Sequence, residues 1–368
     1  MSGFLSQFER KLRSFSQKIF HYLYRHQRPE PSVLGPVNRI LLVRIDKIGD
    51  AIISTVLVAA LRQRFPGVEI DMVLGRRNQA AAPLLPPLDN VFVARPNMRE
   101  VIALIRKLRR RRYDVAIDLI MHDSMTAAVY TAATGARIKI GFKDATSTLY
   151  DFAIPLPLRE HSVRRLLRLL APLKIFVPDA EARPSTVLSP ASLRAAEAAL
   201  AGIGRPLLMI NISGSSAHKF WGADNFVRLA SDLRKTGAAV ILMSAPEDQL
   251  LLKEIADRSG VPHLSRPGLM DFAALLWFAD LVISPDTSIV HIAAAFNKPV
   301  VTLAESELVS IQWGPWGVPS RSVSSGRSIP EIPCSAVVSA VQSLMSEVMP
   351  DFPPAEQARS PSQQRDRF

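Results

Sequence analysis

The chain has 368 residues, 48% hydrophobic and 21% charged, with one cysteine at Cys334. That length holds two ordinary α/β domains, and the composition excludes an intrinsically disordered chain. A single cysteine excludes an internal disulfide and a thiolate metal cluster, and fits a reducing compartment.

The net charge of +12 is unevenly spread: residues 1–35 carry 6 Lys/Arg against 2 Asp/Glu, 36–177 carry 23 against 12, and 178–368 carry 16 against 19. A positive first half suggests an anionic partner such as lipid headgroups, a phosphorylated acceptor or nucleic acid; the competing account is solubility charge on helix surfaces. Apolar stretches are too short to span a bilayer, and the N-terminus has no secretory core with a cleavage site. The expected location is the cytoplasm, either free or peripheral on the inner face of the cytoplasmic membrane.

Residues 4–25 place Phe8, Leu12, Phe15, Ile19 and Tyr22/Leu23 at helical spacing among basic residues. Such a helix either lies in an anionic membrane interface or packs on its own domain. A linker at 28–31 completes an N-terminal segment, 1–35. A βα alternation then predicts strands over 39–45, 68–74, 90–94, 113–120 and 137–141, with helices over 51–65, 99–112 and 163–170. Residues 178–190 read as a hinge. The pattern restarts with strands over 206–212, 238–243, 280–284 and 299–303, and helices over 190–201, 223–235, 247–258, 271–278, 288–296 and 333–347. Two doubly wound α/β domains are expected, at 36–177 and 185–349, followed by a polar, Pro-rich tail over 350–368 expected to be disordered.

Three strand-to-helix junctions can carry chemistry. In Asp46-Lys47-Ile48-Gly49-Asp50, Gly49 is expected to permit a tight turn and Asp50 to sit in the first helical turn. Helix amides would hold that carboxylate, which can act as a general base or simply be a common helix-start residue. The stretch 212–221 (ISGSSAHKFW) offers a small-residue loop and a cation, Lys219, for phosphate, or is an ordinary polar loop. In Ser284-Pro285-Asp286-Thr287-Ser288, Asp286 and Thr287 can cap a helix whose free amides suit a pyrophosphate; His291, one turn on, is more often a packed residue than an acid or base. Asn211-Ile212-Ser213 is a formal glycosylation sequon at a strand end and is discounted. No His/Cys/Asp set suggests a metal site.

Together the blocks at 40–75 (ILLVRIDKIGDAIISTVLVAALRQRFPGVEIDMVLG), 111–119 (RRYDVAIDL), 210–230 (INISGSSAHKFWGADNFVRLA) and 272–303 (FAALLWFADLVISPDTSIVHIAAAFNKPVVTL) resemble glycosyltransferase family 9, the ADP-heptose:lipopolysaccharide heptosyltransferases. The resemblance spans about 38–345. It implies a GT-B fold: two facing Rossmann-like domains with a cleft between them, the acceptor on the N-terminal domain and the nucleotide-sugar on the C-terminal one.

By the same resemblance, Asp50 is the catalytic base of an inverting transfer. Ser213, Gly214, Ser215, Lys219, Asp286, Thr287, Ser288 and His291 form the donor site, and Asp248, or Glu247 beside it, meets the nucleotide ribose. The implied donor is a nucleotide-sugar, ADP-linked, carrying heptose or a related sugar. The implied acceptor is an anionic lipid-linked glycan of the lipopolysaccharide-core type, with no metal, no other cofactor and no nucleic acid. Ser288 departs from the family's D-T-G-x-x-H motif, and Glu305 and Glu307 from its usual segment. These departures leave open a nucleotide-sugar-binding protein without transferase activity. A nucleic-acid binder is the weaker rival, since the basic run at 109–112 has no accompanying motif.

Overall fold

The computed structural model describes residues 35–352 apart from Pro96 and Ser215. The expected helix over 4–25, its linker, and the tail beyond 352 lie outside the described residues. The chain divides between Ala182 and Arg183 into two compact units.

In the first unit, β1 (Arg39–Arg44) has four consecutive residues, Ile40 to Val43, with no exposure. A run buried on both faces belongs at the centre of a parallel sheet, and each such side chain stabilises the fold by roughly 2 kcal/mol. There follow α1 (Ile48–Ile53), α2 (Thr55–Arg64), β2 (Glu69–Gly75), β3 (Asn90–Ala94), α3 (Met98–Arg111), β4 (Val115–Asp118), α4 (Met125–Ala133), β5 (Ile138–Phe142), β6 (Phe152–Ile154) and α5 (Ser162–Arg168). All strand pairs are parallel, in the order β3-β2-β1-β4-β5-β6. The order reverses between β1 and β4, which is where ligands bind in such sheets.

Where the sequence predicts one helix over 51–65, the structure has two. Ser54 Oγ donates to the Asp50 carbonyl and Thr55 Oγ1 to that of Ile52, both at 2.7 Å, so hydroxyls compete with the helical ladder at the break. The basic helix α3 buries Leu108 and leaves Arg99, Arg106, Lys107, Arg109 and Arg110 exposed. Arg111 turns inward instead, with Nε 3.0 Å from Asp71 and a guanidinium nitrogen 2.7 Å from Glu69. One residue of the 109–112 run is therefore a structural cation rather than surface charge.

The second unit runs α6 (Pro190–Ala199), β7 (Leu207–Asn211), α7 (Ala223–Arg234), β8 (Ala239–Ser244), α8 (Gln249–Ser259), β9 (His263–Ser265), α9 (Leu269–Trp277), β10 (Leu281–Pro285), α10 (Ser288–Ala295), β11 (Val300–Ala304), α11 (Glu307–Trp313), β12 (Ser320–Ser324) and α12 (Cys334–Val348). Its parallel sheet is ordered β12-β11-β10-β7-β8-β9, the same winding as the first, with the switch between β7 and β10. Trp221 is fully buried against Phe226 at 5.2 Å, edge to face, and its indole N–H donates to the Ile332 carbonyl at 2.8 Å. That anchor fixes where the loop after β7 ends. Among the described residues no helix is long and apolar enough to cross a membrane.

Candidate active site

In the first unit the chemistry gathers at the ends of β1 and β4. Asp50 lies in the first turn of α1 and is buried. Gly49 is a buried helical residue beside it, not the turn glycine expected from sequence, and helix amides are not what holds the carboxylate. Its partner is Arg44, a wholly buried guanidinium with one nitrogen 3.4 Å from Asp50 Oδ1 and another 3.4 Å from Asp46 Oδ2. Arg44 also donates Nε to the Asp50 carbonyl at 3.0 Å, and a further N–H to the Leu119 carbonyl beyond β4. Gly75 lets the end of β2 pass close by, since a Cβ there would stand 2.3 Å from the Ile45 carbonyl oxygen.

Burial pushes Asp46 up to about 6, with Asp50's charge adding to the rise and Arg44 opposing it. Asp118, at the end of β4, accepts from the Ile120 amide at 3.0 Å and the Tyr150 hydroxyl at 2.8 Å. Burial raises its carboxyl to about 7. Sequence reasoning singled out none of Arg44, Asp46, Asp118 or Tyr150 individually. An arginine and an aspartate inside or abutting an apolar strand were the available signal, because a buried charge needs a partner.

In the second unit the candidates meet across β7 and β10. The Lys219 amine donates to the Asp286 carboxylate and, at 3.2 Å, to the Asp286 carbonyl, 67 residues away in the chain. Asp286 is thus an ion-pair partner, and Thr287 alone caps α10, accepting from the Ile289 amide at 3.3 Å. Ser213 Oγ accepts from the Ala245 amide at 2.8 Å, tying the loop after β7 to the end of β8. Asn211 donates to the Ser213 carbonyl at 3.1 Å and to Ser284 Oγ at 3.0 Å, and Ser284 Oγ lies 3.2 Å from Thr287 Oγ1. This chain of bonds joins three strand ends, and it explains Asn211 as a structural bridge.

A Cβ at Gly214 would come within 2.6 Å of the Lys219 backbone, so the glycine serves the loop's own fold and thereby the position of Lys219. Ser215 lies outside the described residues. His291 is buried with its ring 6.4 Å from that of Trp313, as a packed residue would be. Asp248 is half-buried and Glu247 exposed, in the turn before α8; no side-chain cap bond occupies Asp248. No group of three or more His, Cys, Asp or Glu side chains among the described residues could hold a metal ion.

The model of glycosyltransferase family 9 (heptosyltransferase) matches residues 101–342. The chain belongs to this family. Lipopolysaccharide heptosyltransferase 3 of Escherichia coli is 28% identical over 292 residues, covering 73% of this chain and 83% of that protein. A family-9 glycosyltransferase from Veillonella parvula superposes with a TM-score of 0.75 at 17% identity, covering 86% of this chain and all of that one. An E. coli heptosyltransferase solved with ADP-2-deoxy-2-fluoro heptose gives 0.63 at 19% identity, covering 83% and 99%. The two Rossmann-like units are those of the GT-B fold.

Two of the departures from the family-9 pattern, Ser288 and Glu307, have a local structural account. Ser288 is the first residue of α10 in ordinary helical backbone, a place that asks nothing of glycine's left-handed freedom. Glu307 stands in the first turn of α11, where a helix N-terminus favours an acid, and Ser306 caps that helix by accepting from Val309 at 3.3 Å.

Proposed function

We propose that this glycosyltransferase moves heptose from ADP-heptose to a lipopolysaccharide core by single displacement, inverting the anomeric carbon. The observation that carries the reading is the meeting of Lys219 and Asp286 at the switch point of the second sheet, beside the Thr287-capped start of α10. A lysine and free helix amides suit the charge that develops on a departing nucleoside diphosphate. Ser213, Gly214 and Ser215 would line the phosphates, Asp248 or Glu247 would meet the ribose, and Ser288 and His291 would complete the helix start. Asp50 would take the proton of the attacking hydroxyl as the new C–O bond forms. The E. coli relative's bound ADP-sugar and the names of the other relatives support ADP as the nucleotide and heptose as the sugar. Incubation with ADP-heptose and a heptose-deficient core should release ADP and extend the core by one sugar. Failure to release ADP, with no stabilisation by any ADP-sugar in a thermal-shift panel, would sink the reading.

Helix α3 exposes five cations together with Met98 and Ile102, a surface suited to an anionic glycolipid and the membrane that carries it. Vesicles rich in anionic lipid should sediment the protein at low salt, and zwitterionic vesicles should not. Replacing Arg106, Arg109 and Arg110 by Glu should abolish that binding; equal sedimentation of the variant would remove α3 from the account.

A further inference from the structure

The proposed base shares its counter-ion. One buried guanidinium, Arg44, stands 3.4 Å from a carboxylate oxygen of Asp46 and 3.4 Å from one of Asp50. Its other bonds, to the carbonyls of Asp50 and Leu119, pin it between α1 and the end of β4, so it cannot follow one carboxylate away from the other. Asp46 Oδ1 is buried without a hydrogen-bond partner. Lone-pair capacity left unmet in a closed setting costs stability and calls for a reason. Other titratable groups near the cluster are His122, in the loop after β4, and Asp118 at the end of β4, which itself has Asp144 nearby. Asp118 is taken up by Ile120 and Tyr150, which leaves Asp46 as the carboxylate that competes for Arg44.

We propose that Arg44 and Asp46 are positioning residues: one guanidinium holds the Asp50 carboxylate in place while Asp46 shares its charge. The inference rests on Asp50 being the base. With Asp46 ionised, the guanidinium's charge is divided between two carboxylates, and its pull on Asp50 does not oppose proton transfer. With Asp46 neutral, Arg44 is left to Asp50 alone and holds its negative charge too firmly for proton transfer. Asp46 neither gives nor takes a proton in the transfer itself. The proton goes from acceptor oxygen to Asp50, the sugar–phosphate bonding pair leaves with the diphosphate, and Asp50 later releases the proton to solvent.

The ionised form of Asp46 is the active one, and burial raises its carboxyl to about 6. Turnover should be full above that pH and fall as the pH drops through it. The test measures kcat and KM from pH 5 to 9 at saturating donor, with thermal unfolding of each variant alongside. In Asp46→Asn, kcat should fall roughly tenfold or more, with donor KM unchanged and the inflection near pH 6 gone. Asp46→Glu should restore both, and Arg44→Lys should shift the inflection. Asp118→Asn should leave the inflection in place.

An Asp46→Asn enzyme that keeps the wild-type inflection overturns the proposal, as does a loss of activity that merely tracks loss of folded protein. Asp50→Ala is the separating control. If that variant is inactive while Asp46→Asn behaves as wild type, only this inference fails. If it turns over, the assignment of the base and this inference fall together.

Discussion

Asp50→Asn is expected to lower kcat roughly a thousandfold, while the nucleotide-sugar should bind as to wild type. The substitution keeps the shape of the side chain and removes the charge that receives the proton. Donor affinity is spared because the proposed phosphate and ribose contacts, Lys219, the start of α10 and Asp248, all belong to the second unit. Arg44 keeps Asp46 as a partner in the variant, so the buried cation is not stranded and the fold survives. Asp50→Ala should give the same kinetic result with a lower melting temperature. Turnover measured under donor saturation, with calorimetry for the donor, checks both halves of the expectation. An active Asp50→Asn enzyme would remove Asp50 from the chemistry and leave the fold and the donor site untouched.

Lys219→Ala should lower affinity for ADP and ADP-sugars by about 2 kcal/mol, on the order of thirtyfold, since hydrogen bonds to charged groups are the strong ones. The loss should fall on ligands that carry the diphosphate and spare adenosine, which calorimetry can separate. Turnover should drop further than ground-state affinity does, because leaving-group charge grows toward the transition state. Lys219 is paired with Asp286, so a diphosphate bound at the lysine would replace one anionic partner with another. Removing the lysine also strands a carboxylate with 8% exposure. The double variant with Asp286→Asn therefore tells a lost contact from a damaged fold. Unchanged ADP affinity in a folded Lys219→Ala protein would show that the phosphates lie elsewhere.

Much of this architecture was legible because central parallel strands are buried on both faces and so appear as unbroken apolar runs. RILLVR, LLMIN and LVISP are such runs, and each was placed within a residue or two. The strands that escaped notice are all sheet edges: β6 (FAI), β9 (HLS) and β12 (SRSVS). They are three to five residues long and partly exposed, so they carry no apolar run to read. β6 pairs with β5, and the residue before it is tied to β5 by a buried ion pair, Lys139 with Asp151 at 2.9 Å; a lysine in an apolar strand is the one trace of it in the sequence. The helix α11 was missed for a like reason, having no fully buried residue.

At the candidate site, the sequence alone determined which residues follow which strands, and hence that Asp50, Lys219 and Asp286 stand at carboxyl ends in a doubly wound fold. Family membership followed from the order and spacing of those same blocks. Only the tertiary structure decided partners. Arg44 between two aspartates, Lys219 on Asp286, and Asp118 under Tyr150 all depend on which strands become neighbours at the switch point. Local pattern records how each element is buried, whereas a contact between residues 67 apart exists only once the sheet order brings their strand ends together.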